Sequence, residues 1–381
     1  MSTTAPARER LDRQTAPAAV LARSRTRLAS LPPVLATNPY QRLLYAELAR
    51  AGLQLEARSQ LKLGWLWRNR RRVGLLHFHW PEAYYRYGSG RRHALTSWPL
   101  LGLFTLRLAA ARALGYRIAW TIHQVYPHES ASALLERTGS RVLAAASDVL
   151  LAHDDATADH ARTALGHRAA NVVVVPHGSY VGVYPAGRPR EVVRAELGVA
   201  QGAFTFLCFG DLRAYKEIDL LLDAFADAGL PNAALVLAGG AKSERMTRLA
   251  EDAEADAQVR TRLGFVPEAR VAELFGACDV VVLPRGDGGT SGSLILALSL
   301  GLPVIAARTP SYEELAGGEA GWLFEPGDRE SLRLALQCAA ADLDEARARG
   351  ANALRRAQGL AWPEIGDRTA SIFLEAMGGG R

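Results

Sequence analysis

The chain has 381 residues, 49% of them hydrophobic and 22% charged, which suits about two globular domains and excludes a disordered chain, a fibre and a collagen-like repeat. It has no run of the roughly 18 uncharged apolar residues needed to cross a membrane; the longest candidate, Trp98 to Leu106, stops at Arg107. The net charge of +6 hides an asymmetry: residues 1–120 hold 20 Lys+Arg against 5 Asp+Glu, and the remainder 25 against 34, so the first third could face nucleic acid, anionic lipid or an anionic substrate.

Residues 1–33 are rich in Ala, Arg and Pro, end in Leu31-Pro32-Pro33 and have no apolar core. They read as a flexible basic tail rather than a secretory signal. Cys208, Cys278 and Cys338 are widely spaced without a CxxC, which fits a reducing cytoplasm better than a disulfide or zinc framework. From Asn38 the pattern becomes regular. Helical spacing over 40–52, 100–114 and 134–146 alternates with short apolar runs at 73–80, 116–122, 148–152 and 172–175. A second series has strands at 204–209, 234–238, 279–284 and 303–307, with helices at 217–228, 269–277 and 291–300. Apolar strands alternating with helices predict parallel sheets covered on both faces. Gly and Pro cluster between Tyr180 and Glu191, so the seam falls there. The expected architecture is α/β: two Rossmann-like doubly wound domains facing an interdomain cleft. The domains are expected at 34–185 and 186–360, with a helix over 361–381 crossing back to the first.

In open parallel sheets ligands bind beyond the carboxyl ends of the strands, and polar residues follow those ends here. Gly210 opens a turn carrying Arg213 and Lys216 just before a helix, a ready site for a diphosphate. Lys216 is one of three lysines among 45 basic residues. Thr290-Ser291-Gly292-Ser293 precedes an apolar helix, and three hydroxyls around a glycine exceed what a simple cap needs. Neither segment is a Walker loop or a GxGxxG fingerprint. In the first half, His77-Phe78-His79-Trp80-Pro81-Glu82 and His123 through His128-Glu129 both begin at strand ends. Such a cluster supports acid/base work or hydroxyl binding; the spacing and prolines oppose a helical zinc motif. His77 reads as a core histidine. His177-Gly178 at the seam serves either the cleft or the hinge.

These residues carry a resemblance. Phe209-Gly210 with Arg213 and Lys216, Gly264-Phe265-Val266-Pro267, and Gly301-Leu302-Pro303-Val304 resemble the nucleotide-sugar half of GT-B glycosyltransferases, over roughly residues 38–375. Retaining members usually carry two glutamates eight residues apart; Gly288 and Leu296 stand at the matching positions. Asn38-Pro39-Tyr40, the His77–Glu82 run, Pro127-His128-Glu129, His177-Gly178 with Tyr180, Arg213-x-Tyr215-Lys216, and Ser291 to Ser299 are similar to inverting β-mannosyltransferases that build xanthan-type exopolysaccharides on a lipid carrier. The resemblance implies a GDP-mannose donor, a lipid-linked or other glycan acceptor, and donor contacts from His123, His177, Gly178, Gly210, Arg213, Lys216, Gly239, Val266, Thr290, Ser291, Gly292 and Ser293.

Inversion requires a base opposite the leaving diphosphate; Glu129 or His128 is expected to serve, with Glu82 behind. No paired carboxylates are placed for Mg²⁺, so no cofactor and no metal are expected. Arginines 68, 70, 71, 72, 86, 91 and 92 lie among Trp65, Trp67, Tyr84, Tyr85 and Trp98. They suit an anionic membrane surface, or simply a solvated basic face. The chain is thus expected in the cytoplasm, peripheral on the inner membrane face, without a nucleic-acid partner. Open alternatives are a UDP-sugar donor or small-molecule acceptor, an epimerase or phosphorylase, and a non-enzymatic sugar- or nucleic-acid-binding protein.

Overall fold

The computed structural model describes residues 26–35, 39–88, 91–127, 132–286, 289 and 291–378. The first half builds a parallel sheet from β1 (Arg27–Leu31), β2 (Gln54–Leu55), β3 (Val73–Phe78), β4 (Arg117–Ile122), β5 (Val149–Ala152) and β6 (Val172–Val174), in the order β2-β1-β3-β4-β5-β6. The second contains β7 (Phe204–Phe209), β8 (Ala233–Gly239), β9 (Val259–Leu263), β10 (Val280–Leu283), β11 (Val304–Ala307) and β12 (Gly321–Phe324). Their order is β12-β11-β10-β7-β8-β9, again parallel. Helices cover both faces of each sheet, which is why β3, β5, β8, β10 and β11 are buried from end to end. The strand order reverses at β1/β3 in the first sheet and at β10/β7 in the second, as in doubly wound folds.

One expectation is corrected. The basic tail does not run to residue 33: Arg27–Leu31 is a strand between β2 and β3, with Leu28, Ala29 and Leu31 wholly buried. Its ladder partners lie more than 20 residues downstream in sequence, so neither local propensity nor flanking composition reveals it. Residues 1–25 lie outside the described residues.

Several contacts join the halves. The last helix, Trp362–Gly378, packs on the helix Pro39–Arg50 beneath the first sheet. The approach is close enough that a Cβ on Gly366 would lie 2.3 Å from the Cβ of Glu47. Trp362 donates from Nε1 to the Ser179 carbonyl at 2.6 Å, and the Tyr180 amide donates to Ser299 Oγ at 2.8 Å. The facing sheets therefore hold a cleft between their strand ends.

Candidate active site

The cleft, of about 360 Å³, is lined by His123 and Gln124 from the end of β4, by Tyr180 and Tyr184 from the seam, and by Phe209, Tyr215, Lys216, Arg285, Ser291, Gly292, Ser293 and Leu296 from the second half. Its second-half wall begins where β7 ends. Gly210 has φ +100°, and a Cβ there would lie 3.1 Å from Lys216 Nζ and 3.5 Å from Ser293 Oγ. The missing side chain thus lets the lysine and the serine converge on one corner. Gly239 sits behind that corner. Its Cβ would strike the Gly210 carbonyl at 2.1 Å, so it supports the turn from beneath.

Lys216 ends a short 3-10 turn, Ala214–Lys216. Burial lowers its pKa from the ordinary lysine value; Cys208 and Asp211 pull upward, and Arg285 and Arg213 push down with burial. Arg285 is held in place by donating from Nε to the Tyr312 hydroxyl at 3.1 Å and from Nη2 to the Gly289 carbonyl at 3.1 Å. The helix Gly292–Ser299 points its N-terminus into the same corner, and the Ser291 side chain makes no capping bond to it. Two cations and the positive end of a helix thus meet in one place, and among the described residues lining the cleft there is no carboxylate. Chemically such an arrangement can receive a phosphate-bearing anion.

The first-half wall is built differently. His123 stacks on Trp80, with centroids 4.7 Å apart and planes at 12°. Behind it lie His79, His77, His153 and His177, grouped around Tyr40 and Tyr45. Each is the product of a strand ending on this side of the sheet: His77 and His79 from β3, His123 from β4, His153 from β5, and His177 from β6. Burial lowers the pKa of all five, that of His77 and of His177 to about 3, so the rings are neutral near pH 7. Among the described residues no group of three or more His, Cys, Asp or Glu is arranged to hold a metal ion.

The predicted site residues divide accordingly. His123, Lys216, Ser291, Gly292 and Ser293 line the cleft, and Gly210 shapes its corner. Arg213 stands beside the cleft without lining it, 3.6 Å from Asp211. His177 and Gly178 lie behind it. His177 Nδ1 donates to the Gly178 carbonyl at 2.8 Å, and a Cβ on Gly178 would fall 2.4 Å from the Trp362 indole. Val266 lines a separate groove of about 330 Å³ with Leu263, Phe265 and Leu274. Glu82 belongs to the turn Pro81–Tyr84. There burial raises its pKa, with Arg86 opposing and Glu136 adding to the rise. Glu136 is itself paired with Arg86 at 2.7 Å, and Glu82 does not line the cleft. His128, Glu129 and Thr290 lie outside the described residues. Sequence reasoning passed over Arg285, although it stands two residues beyond β10, where the strand-end rule points. Gln124 and Tyr184 were missed as well, and Tyr215 entered only through the resemblance.

Comparison with known proteins agrees with this geometry. Residues 189–356 match the family described as glycosyl transferases group 1. The chain is 29% identical over 312 residues to GDP-mannose:glycolipid 4-beta-D-mannosyltransferase of Xanthomonas campestris pv. campestris, covering 81% of each chain. It is 28% identical over 292 residues to D-inositol 3-phosphate glycosyltransferase 1 of Catenulispora acidiphila, covering 71% of this chain and 69% of that one. Its fold matches that of Anabaena HepE, solved with UDP-glucose, at a TM-score of 0.70 and 17% identity over 92% of this chain and 99% of that one. The chain thus has two facing parallel sheets in the GT-B arrangement, and its residues 189–356 match the glycosyl transferases group 1 family around the Lys216 corner.

Proposed function

We propose that the chain transfers a mannosyl group from GDP-mannose, with inversion, to a glycan carried on a lipid. The observation that carries the transfer chemistry is the convergence of Lys216, Arg285 and the N-terminus of Gly292–Ser299 on one corner of the cleft, opposite His123. As the bond from the sugar to the diphosphate lengthens, negative charge builds on the leaving oxygens. A preorganised ammonium, a guanidinium and helix amides stabilise that charge more than they stabilise the intact donor. With two cations already there, turnover proceeds without a divalent ion. The acceptor hydroxyl attacks from the opposite face and loses its proton to Glu129 or His128. Leu296 lines the cleft where retaining GT-B enzymes usually carry their second glutamate, in keeping with direct displacement. The choice of mannose and of a lipid-borne acceptor rests on the similarity to the Xanthomonas enzyme.

A membrane-borne acceptor also gives a use to an exposed face. The helix Arg91–Ala113 buries Leu101, Phe104, Leu108 and Ala111. On the far side it exposes Leu95 (75%), Trp98 (37%), Leu103 (36%) and Leu106 (56%), which fall within about 140° of the helix circumference. On the neighbouring helix Leu63–Asn69, Trp67 is exposed and Arg70 lies 3.7 Å over its ring. Exposed leucine and tryptophan beside arginine suit an anionic bilayer, and the chain works there as a peripheral protein at the inner membrane face. No helix among the described residues is long and apolar enough to cross a membrane.

The test is a thermal-shift panel of GDP, UDP, ADP and dTDP with and without Mg²⁺, followed by turnover of the matching nucleotide-sugar. A ligand at about 100 times its Kd stabilises by about 2.7 kcal/mol, so one nucleotide should stand out. A GDP-selective shift independent of Mg²⁺ is expected. A UDP-selective shift discards mannose while keeping sugar transfer, and the absence of any shift removes the nucleotide-sugar reading.

A further inference from the structure

We propose that Thr121, His77, Tyr45 and His79 form one hydrogen-bonded chain that sets the tautomer of His123, and so decides whether the cleft meets a ring N–H or a ring lone pair. The links are continuous. Thr121 Oγ1 lies 2.7 Å from His77 Nε2, His77 Nδ1 lies 2.9 Å from the Tyr45 hydroxyl, that hydroxyl lies 2.8 Å from His79 Nε2, and His79 Nδ1 lies 3.1 Å from His123 Nε2. Thr121, His77, Tyr45 and His79 are all buried, while His123 reaches the cleft.

The coupling follows from counting protons. Among the described residues no carboxylate is hydrogen-bonded to His77, His79 or His123, so a charged ring would have no counter-charge there. Burial accordingly holds all three below the ordinary histidine range. A neutral imidazole has one N–H and one lone pair, and each link needs one donor and one acceptor. With the Tyr45 proton spent inside the chain, as the proposal requires, two arrangements complete every link. In the first, Thr121 donates to His77 Nε2, His77 Nδ1 to Tyr45, Tyr45 to His79 Nε2, and His79 Nδ1 to His123 Nε2; all three rings are then Nδ1–H. In the second every bond is reversed, and all three are Nε2–H. Between His79 and His123 a ring of the wrong tautomer leaves two donors or two acceptors face to face; at Tyr45 the competing arrangement has the hydroxyl oxygen accept from both His77 and His79, which makes His77 Nδ1–H against Nε2–H in the other two rings and breaks the relay.

His123 spends Nε2 on His79, so Nδ1 is the ring nitrogen left for a ligand. In the first arrangement it offers an N–H, and in the second a lone pair. The ring changes roles without a change of charge, which keeps this wall neutral while Lys216 and Arg285 hold the anion. Thr121, His77, Tyr45 and His79 are thus positioning residues. The consequence for turnover rests on the sugar-transfer reading, whereas the tautomer coupling does not.

The nine histidines of the chain make ¹⁵N-histidine labelling tractable. Long-range ¹H–¹⁵N correlation on the full, ligand-free protein at pH 7 should show His77, His79 and His123 sharing one tautomer. Tyr45→Phe should uncouple His77 from His79 and His123. Thr121→Val should alter the His123 pattern, and Thr121→Ser, which keeps the hydroxyl, should preserve it. With the identified donor, Tyr45→Phe should lower kcat/KM about tenfold, with nucleoside diphosphate affinity within about twofold of wild type. Unlike tautomers in the wild-type rings, or a His123 unmoved by Tyr45→Phe, would overturn the proposal. The wild-type spectrum requires no variant to fold. A shared tautomer in a protein that turns over no nucleotide-sugar would sink the sugar-transfer reading alone.

Discussion

At the scale of single residues, the donor-binding role proposed for Lys216 comes at a cost in stability. Its ammonium is partly desolvated, with two guanidiniums pushing its pKa down. Lys216→Ala should therefore leave the melting temperature unchanged or raise it, while lowering kcat with the donor by about 10²–10³, as lost transition-state charge stabilisation does. Arg285→Ala should act in the same direction. Donor affinity should also weaken as pH rises through the lowered Lys216 pKa, because only the protonated amine holds the diphosphate. Glu129→Gln and His128→Ala decide the base: one of them should abolish most turnover while leaving nucleotide affinity intact, and near-wild-type rates in both would reject the assignment. The five histidines of this wall, four of them buried, predict a different pH effect. Their folded pKa values lie below the unfolded value of about 6.5, so the stability linked to their neutral form is complete above that pH and is lost as pH falls toward about 3. Each can contribute up to about 1.4 kcal/mol per pH unit within that window. Urea midpoints measured from pH 7 to pH 4 should fall steeply, and His77→Phe should flatten the slope.

At the scale of elements, the helix Arg91–Ala113 is apolar on two opposite sides, only one of which meets the core. Replacing Leu95, Trp98 and Leu106 together by serine removes exposed apolar surface without opening a cavity, so thermal stability should be nearly unchanged. Co-sedimentation with anionic vesicles at physiological salt should drop at least about tenfold, since each lost apolar side chain removes more than about 1 kcal/mol of insertion. Equal sedimentation of variant and wild type would leave the basic third as a solvated face. The helix Gly292–Ser299 shows the complementary arrangement. It is buried from Leu294 to Ser299, so only its first turn is available to a ligand.

At the scale of the whole molecule, the cleft exists because the halves are tied together at the seam. Gly178 leaves room for the Trp362 indole, which donates to the next carbonyl along the seam. Gly178→Ala should destabilise by about 1–3 kcal/mol through overpacking. Trp362→Ala should destabilise too, but the double variant should lose less than the sum, because the clash disappears with the indole. Denaturant titrations of the four proteins measure the coupling. Strict additivity would mean that the seam relaxes around the added methyl group.

The sequence alone determined the two α/β series, because apolar strands such as Val280–Leu283 and Phe204–Phe209 are local patterns bounded by glycine and proline. It also pointed to Lys216 and the Ser291–Ser293 hydroxyls as cleft residues, because they stand at strand and helix ends where doubly wound folds bind ligands. The tertiary structure decided what depends on distant partners. Arg27–Leu31 is a strand only because β3 pairs with it. His177 and Gly178 face Tyr40 and Trp362 rather than the cleft, because the last helix returns to cover the seam. His77, by sequence a core residue, is joined to His123 only through Tyr45 and His79, from other segments of the chain. Strand-end position is written locally, but the direction a side chain faces and the partner it meets are fixed by packing between segments far apart in sequence.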